Sequence, residues 1–253
     1  MFDKHSKSFI PFIMSGYPDF KTSTNALIDL CKLGVDAIEI GVPYSDPIAD
    51  GPVNQKAARI ALDEGMSLLK VFKQIDFIRC RGFCTPIILF SYFNPIYNLG
   101  YENFCKKAIK SGVNSILVVD LPPDEGEIFF KLCRKYGLGI VVLVSPLTPR
   151  LRLLQYLQYK PNFIYYISRL SVTGIKSDLS EGLEDKVLML KDQAKGIPIV
   201  VGFGLSTKEQ VKKVAGIADG VVIGSALVKS MEKNNLKVFR KLAEGFYQSI
   251  KLV

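Results

Sequence analysis

Two carboxylates near the start of the chain have the types and the spacing of an acid/base pair. Glu39 lies within a short β-rich run, residues 35–41, and Asp50 follows eleven residues later in a loop rich in proline and glycine. The alternation of a strand places Glu39 on the same face as Ala37 and Gly41. A carboxylate on such an apolar face must be paired, protonated or functional, and burial raises its pKa. Because the loop can bring Asp50 back over the end of the strand, we predict a two-carboxylate active site in which Glu39 donates a proton near neutral pH.

Each carboxylate also has an ordinary structural explanation. Glu39 alone fits a core glutamate tied to a lysine or arginine, and Asp50 alone fits a turn residue that caps its own backbone. Other chemistries lack their residues: the one histidine, His5, precedes the first predicted strand, and no strand carries an obvious lysine for a Schiff base. The five cysteines show no zinc-binding spacing, and we expect them to be reduced thiols.

The elements that must position these residues alternate regularly along the chain. Eight short apolar runs are each followed by a helix-like segment, with no linker or low-complexity stretch between them. Apolar strands alternating with helices indicate a parallel sheet covered on its outside, and eight such units favour a closed barrel. We therefore predict an α/β fold, a single (β/α)8 TIM barrel, with residues 1–253 as one domain. The predicted strands are residues 9–15, 35–41, 86–90, 115–119, 139–144, 163–167, 197–201 and 219–223.

Capping residues and prolines predict where the helices begin and where loops lie. Serine or threonine precedes several helix-like segments. The candidate N-caps are Thr22 or Ser23, Thr148 and Ser206, and a further helix is predicted to begin near Ser67. Two proline-containing stretches, from residue 42 to the helix predicted near Ser67 and from residue 91 to residue 100, are predicted to be loops.

Three loops of the predicted barrel suggest a phosphate site. Barrel active sites lie in the loops after the C-terminal ends of the strands. The loops after the sixth, seventh and eighth strands carry Thr173 and Gly174, Gly202 and Gly204, and Gly224 and Ser225. Each glycine pair alone is more often turn chemistry, but glycines in three adjacent loops let the backbone approach an anion, and residues 225–231 can form a short helix there. No GxxxxGK[ST] sequence is present, which argues against a P-loop nucleotide site.

The formal net charge of +9 permits two explanations. A solvated basic surface is the ordinary one, and attraction of an anionic, phosphorylated substrate is the functional one. No basic run interleaved with aromatic residues supports nucleic-acid binding. The first residues lack an apolar signal core, and no apolar run reaches the roughly 18 residues that a membrane span needs. We expect a soluble, cytoplasmic protein with neither nucleic acid nor membrane as a partner.

A set of motifs runs in order along nearly the whole chain. The longest and most specific is EIGVPYSDPIADGP at residues 39–52. The others are PF at 11–12, GYPD at 16–19, YFNP at 92–95, VDLP at 119–122, VTG at 172–174, GFGLS at 202–206 and GSA at 224–226. Together they resemble the motifs of the family of tryptophan synthase alpha subunits.

The resemblance implies a reaction and the residues for it. The reaction is the retro-aldol cleavage of indole-3-glycerol phosphate to indole and glyceraldehyde 3-phosphate in L-tryptophan biosynthesis. Glu39 matches the general acid/base, which protonates the ring carbon that bears the glycerol chain and then helps to remove the proton of the neighbouring hydroxyl. Asp50 matches the carboxylate that accepts the indole N–H and stabilises positive charge on the ring, and Tyr165 matches a catalytic tyrosine beside it.

The resemblance also implies the positions that bind the substrate. The positions around the indole are Phe12, Phe90, Tyr92, Leu117 and Val119. Gly174, Gly204, Gly224 and Ser225 match the phosphate-binding backbone groups, and Phe203 matches a further substrate contact. Thr173 matches the loop residue that orders over the site and positions Asp50.

The same resemblance implies a partner. The beta subunit carries pyridoxal phosphate and joins indole to serine, in an α2β2 complex through which indole passes in a tunnel. This subunit then needs no metal and no cofactor of its own. The positions near the contact are Asp46, Pro47, Asn94 and Asp120.

Three departures from the family pattern leave alternatives open. Asn54 stands where the family usually has an aliphatic residue, and we expect its polar group to alter the packing under the Asp50 loop. Ser171 stands where a glycine is usual, and we expect its Cβ to stiffen the loop over the phosphate. The segment before Phe9 is shorter than usual, which predicts a less covered barrel bottom. One alternative is therefore a catalytically weak alpha-like protein that mainly binds and activates the beta subunit. Another is a phosphate-binding barrel with a different substrate.

Overall fold

The barrel predicted from the sequence is present. The computed structural model describes residues 6–167, 182–202 and 204–253, apart from the side chain of Lys233. Within them, eight strands form a closed barrel in which each strand pairs in parallel with the next. The last strand pairs with the first, with Ser8 opposite Gly220 and Pro11 opposite Ile223, and this pairing closes the ring. The α/β fold and its (β/α)8 architecture are thus confirmed.

The strands, β1 to β8 in chain order, are short and apolar. They are Ser8–Met14, Ile38–Gly41, Ile87–Ser91, Ser115–Val118, Gly139–Val144, Phe163–Ile167, Ile199–Gly202 and Gly220–Ile223. Nearly all their side chains are buried because helices cover the outside of the barrel and side chains fill its inside. Glu39 is the only charged residue in these eight strands.

Eleven α-helices, α1 to α11 in chain order, lie within the described residues. They are Phe20–Leu33, Pro52–Asp63, Leu68–Arg79, Phe93–Leu99, Tyr101–Ser111, Glu127–Lys135, Arg150–Leu157, Leu183–Gln193, Lys208–Ile217, Ser225–Ser230 and Leu236–Lys251. A single 3-10 turn, Glu232–Asn234, separates the last two helices. No helix among the described residues is long and apolar enough to cross a membrane.

Two of these helices, α2 and α4, were predicted to be loops, and that prediction is wrong. Both contain a proline in the first turn, Pro52 and Pro95, where proline costs no backbone hydrogen bond. Helix α2 buries only alanines, which give a weak apolar pattern. Helix α4 lacks a local side-chain cap, and its first N–H group, that of Phe93, donates instead to Asp120 at 2.7 Å. Because Asp120 is 27 residues away, local sequence carries no sign of this cap.

The predicted N-caps are wrong by one to a few residues. The observed ones are Asp19 for α1, Pro149 for α7 and Thr207 for α9. At α1 and α9, polar residues at neighbouring positions compete for the same first-turn N–H groups, so residue type alone does not select the correct one. Helix α3 begins where the sequence predicts a helix, and Ser67 caps it by accepting a hydrogen bond from the Lys70 N–H.

Polar clamps close the bottom of the barrel, where the strands begin. The Arg79 guanidinium at the end of α3 donates to the carbonyls of Phe83, Thr85 and Gly112 and to the Asn114 side chain. These four acceptors lie in the segments that lead into β3 and β4. Arg79 therefore ties two neighbouring strands together at the end opposite the expected site.

A second clamp ties the C-terminal helix to the first two strands. Lys251 of α11 lies 2.9 Å from the Asp36 carboxylate and donates to the Lys7 carbonyl. Asp36 also accepts the Phe9 N–H at 2.8 Å. Helix α11 thus covers part of the barrel bottom.

Candidate active site

Glu39 lies in β2, with its Cα opposite Phe12 of β1 and Ile88 of β3. Only 1% of the residue is exposed. Its Oε1 atom has no hydrogen-bond partner among the described residues. Burial, and then the charge of Asp50, raises the pKa of Glu39 to about 8. At neutral pH this carboxyl group therefore carries a proton that it can donate.

Asp50 lies at the end of the loop before α2, just before the N-cap Gly51, and both oxygens of its carboxylate accept hydrogen bonds. Oδ2 accepts the Tyr92 hydroxyl at 2.9 Å, and Oδ1 accepts the Asn54 amide at 3.3 Å. The Tyr92 hydroxyl in turn accepts the Ala49 N–H at 3.0 Å, and Gln55 donates to the Asp50 carbonyl at 2.9 Å. Burial raises the pKa of Asp50, while the bonds from Tyr92 and Asn54 act to lower it. The loop is held so that this carboxylate stays at the barrel mouth.

Tyr165 lies in β6, buried inside the barrel near both carboxylates. Burial raises the pKa of its phenol well above the usual value, and the charges of Glu39 and Asp50 raise it further. Its hydroxyl occupies the space beside Gly202 of β7, where a Cβ atom would stand 2.2 Å from the phenol oxygen. Gly202 thus makes room for Tyr165, whereas the sequence suggested only a phosphate-loop glycine.

Aromatic side chains line the same end of the barrel. The rings of Phe12 and Phe90 meet edge to face, with centroids 5.4 Å apart. Gly41 leaves room for the Phe12 ring, because a Cβ atom there would lie 2.6 Å from it. Tyr92 meets Phe90 at 6.5 Å and stacks on Tyr44 at 5.0 Å. These rings form an apolar wall next to the carboxylates.

The remaining predicted substrate positions are only partly described. Leu117 is buried in β4 opposite Phe90, and Val119 is half-buried just after that strand. Gly204 has a φ of +77°, which favours glycine, and Gly224 and Ser225 form the start of α10. Gly224 also lies against the Phe12 ring. Three predicted site residues and the departure at position 171 lie outside the described residues: Thr173, Gly174, Phe203 and Ser171.

The four predicted interface residues follow three neighbouring strands: Asp46 and Pro47 follow β2, Asn94 follows β3, and Asp120 follows β4. Asp46, Asn94 and Asp120 are exposed and Pro47 is half-buried. A groove of about 440 Å³ runs between the loop after β2 and helix α4, and Asn94 is among its lining residues. Two apolar side chains of the same segments, Ile48 in the loop after β2 and Tyr97 in α4, are 76% and 62% exposed. Exposed apolar side chains thus occur on this part of the surface, and one of them, Ile48, is two residues before Asp50 in the sequence.

Several contacts of this site were missed from the sequence. Asn54 was noted as a departure, but its bond to Asp50 was not foreseen, because α2 was taken for a loop. Tyr92 was assigned to the wall, whereas its hydroxyl also holds the Asp50 carboxylate. A tyrosine and an aspartate 42 residues apart give no local signal. A proline immediately after the Asp50-Gly51 pair was the one available sign of a helix start.

The fold and the site define a class of protein. It is a (β/α)8 barrel whose mouth joins a proton-bearing glutamate, a clamped aspartate, a buried tyrosine and an aromatic wall. Such a site is equipped for acid/base chemistry on a substrate with an apolar part. Among the described residues, no group of three histidine, cysteine, aspartate or glutamate side chains could hold a metal ion.

Comparison with known proteins identifies the family. The model of the family described as tryptophan synthase alpha chain matches residues 1–250. A tryptophan synthase alpha chain from Geobacillus sp. (strain WCH70) is 43% identical over 227 residues, which cover 90% of this chain and 86% of the relative. The crystal structure of tryptophan synthase subunit alpha from Legionella pneumophila str. Paris superposes with a TM-score of 0.89 at 32% identity, covering 98% of this chain and 94% of that one. The chain belongs to the tryptophan synthase alpha chain family, which supports a lyase role in tryptophan biosynthesis.

Proposed function

We propose that this protein cleaves indole-3-glycerol phosphate into indole and glyceraldehyde 3-phosphate by a retro-aldol reaction. The observation that carries the proposal is the state of Glu39: it is buried, has a pKa near 8 and has one carboxyl oxygen without a partner among the described residues. A buried, protonated carboxyl group beside an aspartate is what this reaction requires of its acid/base catalyst.

Glu39 performs two proton transfers in the proposed mechanism. Its carboxyl group protonates the indole ring carbon that bears the glycerol chain, which leaves positive charge on the ring. The resulting carboxylate then takes the proton of the hydroxyl on the adjacent chain carbon. As that oxygen becomes a carbonyl, the bond between chain and ring breaks, and its electron pair returns to the ring to give indole. Glu39 ends protonated, ready for another turnover.

Asp50 stabilises the charge that develops between these steps. It accepts the indole N–H and must therefore be ionised while Glu39 is protonated. The hydrogen bonds from Tyr92 and Asn54 favour that ionised form, and the more complete burial of Glu39 favours its neutral form. Two carboxyl groups at one barrel mouth thus take opposite protonation states. Tyr165 lies beside them and restricts the space around the reacting ring.

The remaining predicted positions are assigned to binding. The indole ring packs on the wall that contains Phe12 and Phe90, with Leu117 and Val119 behind it. The phosphate binds at the backbone of Gly204, Gly224 and Ser225, and the same proposal extends to Thr173, Gly174 and Phe203. The positive φ of Gly204 after β7, and the start of α10 at Gly224 after β8, support this assignment.

We also propose an α2β2 complex with a beta subunit that carries the pyridoxal phosphate and receives the indole. No cofactor is proposed for this chain, and a cytoplasmic location remains part of the proposal. A solved relative is described as tryptophan synthase from M. tuberculosis in an aminoacrylate-bound form; it is 28% identical with a TM-score of 0.86 and covers 97% of this chain. The open groove and the exposed Ile48 and Tyr97 support a partner surface that includes Asp46, Pro47, Asn94 and Asp120.

The test is indole release from indole-3-glycerol phosphate by the purified chain, alone and with a beta subunit. We expect slow release alone and a strong rise with the partner, and we expect Glu39→Gln to abolish both. Release by Glu39→Gln at the wild-type rate would contradict the acid/base assignment. Activation of the beta subunit without any cleavage would favour the binding-only alternative, although Glu39 and Asp50 are both in place.

A further inference from the structure

Asn54 occupies a position that lets its side chain reach back to Asp50. It is the third residue of α2, after Pro52 and Val53, with Gly51 as the N-cap. Side chains in the first turn of a helix point toward its N-terminus, as in a capping box. The Asn54 amide accordingly donates to Asp50 Oδ1 at 3.3 Å. The carboxylate fixes which amide atom faces it, because an amide oxygen there would repel it.

The contacts of Asp50 divide into two kinds. Tyr92 and Asn54 donate to the two carboxylate oxygens, whereas Gln55 donates to the main-chain carbonyl. The titratable groups that face Asp50 are Glu39 of β2, the phenol of Tyr92 after β3 and the phenol of Tyr165 of β6. None of these three groups is a cation. The hydrogen bonds from the neutral donors, Tyr92 and Asn54, are therefore what stabilise the ionised form of Asp50.

The other end of the Asn54 amide argues against a purely structural role. Its Oδ1 atom is buried and has no hydrogen-bond partner among the described residues. A buried acceptor without a partner destabilises the folded state, and an apolar side chain of the same size avoids that cost. Asn54 therefore brings one useful donor at the expense of one unsatisfied acceptor.

We infer that Asn54 is a positioning residue that holds the Asp50 carboxylate ionised and oriented toward the substrate. The inference rests on the proposed function for its meaning in catalysis, but the effect on Asp50 itself is independent of the substrate. This role also accounts for a polar residue, Asn54, at a position under the Asp50 loop.

The test compares Asn54→Leu with wild type across pH 5 to 8. Loss of one hydrogen bond to a carboxylate should move the acid limb of the kcat profile up by about one pH unit. The loss in kcat is then about tenfold below the limb and disappears above it, while Tm stays equal or rises. Asn54→Asp, which places a second carboxylate beside Asp50, should move the limb further. A pH-independent loss accompanied by a lower Tm would mean that Asn54 only packs, and would overturn the inference.

Gln55→Leu is the matched control. It removes the bond to the Asp50 carbonyl and leaves both carboxylate donors, so we expect the limb to stay in place. A shift as large as that of Asn54→Leu would trace the effect to the loop backbone and overturn the inference.

A second measurement works without substrate. The Asp50 carboxyl can be titrated by 13C NMR in protein labelled at the aspartate carboxyl carbon, with Asp50→Asn to assign the signal. We expect its midpoint to rise by about one unit in Asn54→Leu. An unchanged midpoint refutes the inference even if the chain proves inactive on indole-3-glycerol phosphate, whereas a shifted midpoint in an inactive chain refutes only the proposed function.

Discussion

Replacing Glu39 by glutamine should remove activity and stabilise the protein, with a gain that depends on pH. Glu39 has a folded-state pKa of about 8, against an ordinary value of 4.5. Below pH 4.5 Glu39 is protonated in both the folded and the unfolded chain, so its titration then has little effect on the free energy of unfolding. As the pH rises, the unfolded chain loses its proton first, so the free energy of unfolding falls until the folded group ionises too, near pH 8. Glutamine has the shape of the protonated side chain and does not titrate.

The magnitude follows from the pKa difference. At about 1.4 kcal/mol per unit, the change from 4.5 to about 8 amounts to roughly 5 kcal/mol once both states are ionised. At pH 7 the folded chain still holds most of its proton, so roughly 3 kcal/mol of this cost has developed. Since domains are typically stable by about 5–15 kcal/mol, a gain of this size is readily measured.

The assay is urea unfolding of wild type and Glu39→Gln at pH 5, 6, 7 and 8, with indole release measured on the same samples. The difference in unfolding free energy should be small at pH 5 and grow steadily to pH 8. The control is Glu64→Gln at the exposed end of α2, a surface substitution that should change the unfolding free energy by no more than about 0.5 kcal/mol at each pH. A flat difference for Glu39→Gln itself would show that its pKa is not raised, and the proton-donor role would lose its basis.

Three further substitutions test the contacts around the site and the barrel bottom. Tyr92→Phe removes the hydroxyl that donates to Asp50. If the lost hydrogen bond stabilises the transition state by about 2 kcal/mol, kcat should fall about thirtyfold in steady-state assays. Gly202→Ala places a Cβ atom 2.2 Å from the Tyr165 hydroxyl, so kcat/KM should fall at least about tenfold and thermal unfolding should show a loss of about 1–3 kcal/mol. Arg79→Met frees four acceptors, and should lower the unfolding free energy by about 3 kcal/mol in urea with kcat and KM unchanged.

Each of these has its own control and its own contrary result. Unchanged kcat in Tyr92→Phe would mean that the phenol does not act on Asp50. Gly216→Ala in α9, where a Cβ atom meets nothing within 4 Å, should raise stability by up to about 1 kcal/mol without affecting activity. An equally harmless Gly202→Ala would refute the steric argument. Arg81→Met, which removes only a guanidinium over the Phe77 ring at 3.5 Å, should cost less than about 1 kcal/mol. An equal loss in both arginine variants would contradict the clamp.

The strands were predictable because the barrel buries both of their faces. Two of them, Gly139–Val144 and Phe163–Ile167, have the predicted bounds, since each is a continuous apolar run ended by polar residues or proline. Helices α2 and α4 were not predictable in the same way. They cover little of the core, and what starts α4 is a carboxylate from another loop. Local patterns report burial well, but they do not report contacts made across the fold.

The same limit applies to the site. Glu39 could be singled out because a charged residue inside an apolar strand conflicts with its surroundings, and the structure places it in the barrel with its pKa raised. Asp50 could be paired with it because the loop between them is short. The partners that hold Asp50 could not be predicted, because Tyr92 comes from the neighbouring strand's loop and Asn54 from an unrecognised helix. The chemistry of a residue is visible in its type, whereas the state that makes it reactive depends on neighbours distant in sequence.

These observations together explain why the two ends of the barrel differ. Two side chains at the mouth lower the stability of the folded state. They are Glu39, whose burial opposes its ionisation, and Asn54, whose amide oxygen is unsatisfied. At the bottom, by contrast, the half-buried Arg79 and the Asp36–Lys251 pair satisfy main-chain groups in or beside adjacent strands. Because these two sets of contacts lie at opposite ends of the strands, substitutions that stabilise the bottom should leave kcat unchanged, whereas those at Glu39 or Asn54 should lower it.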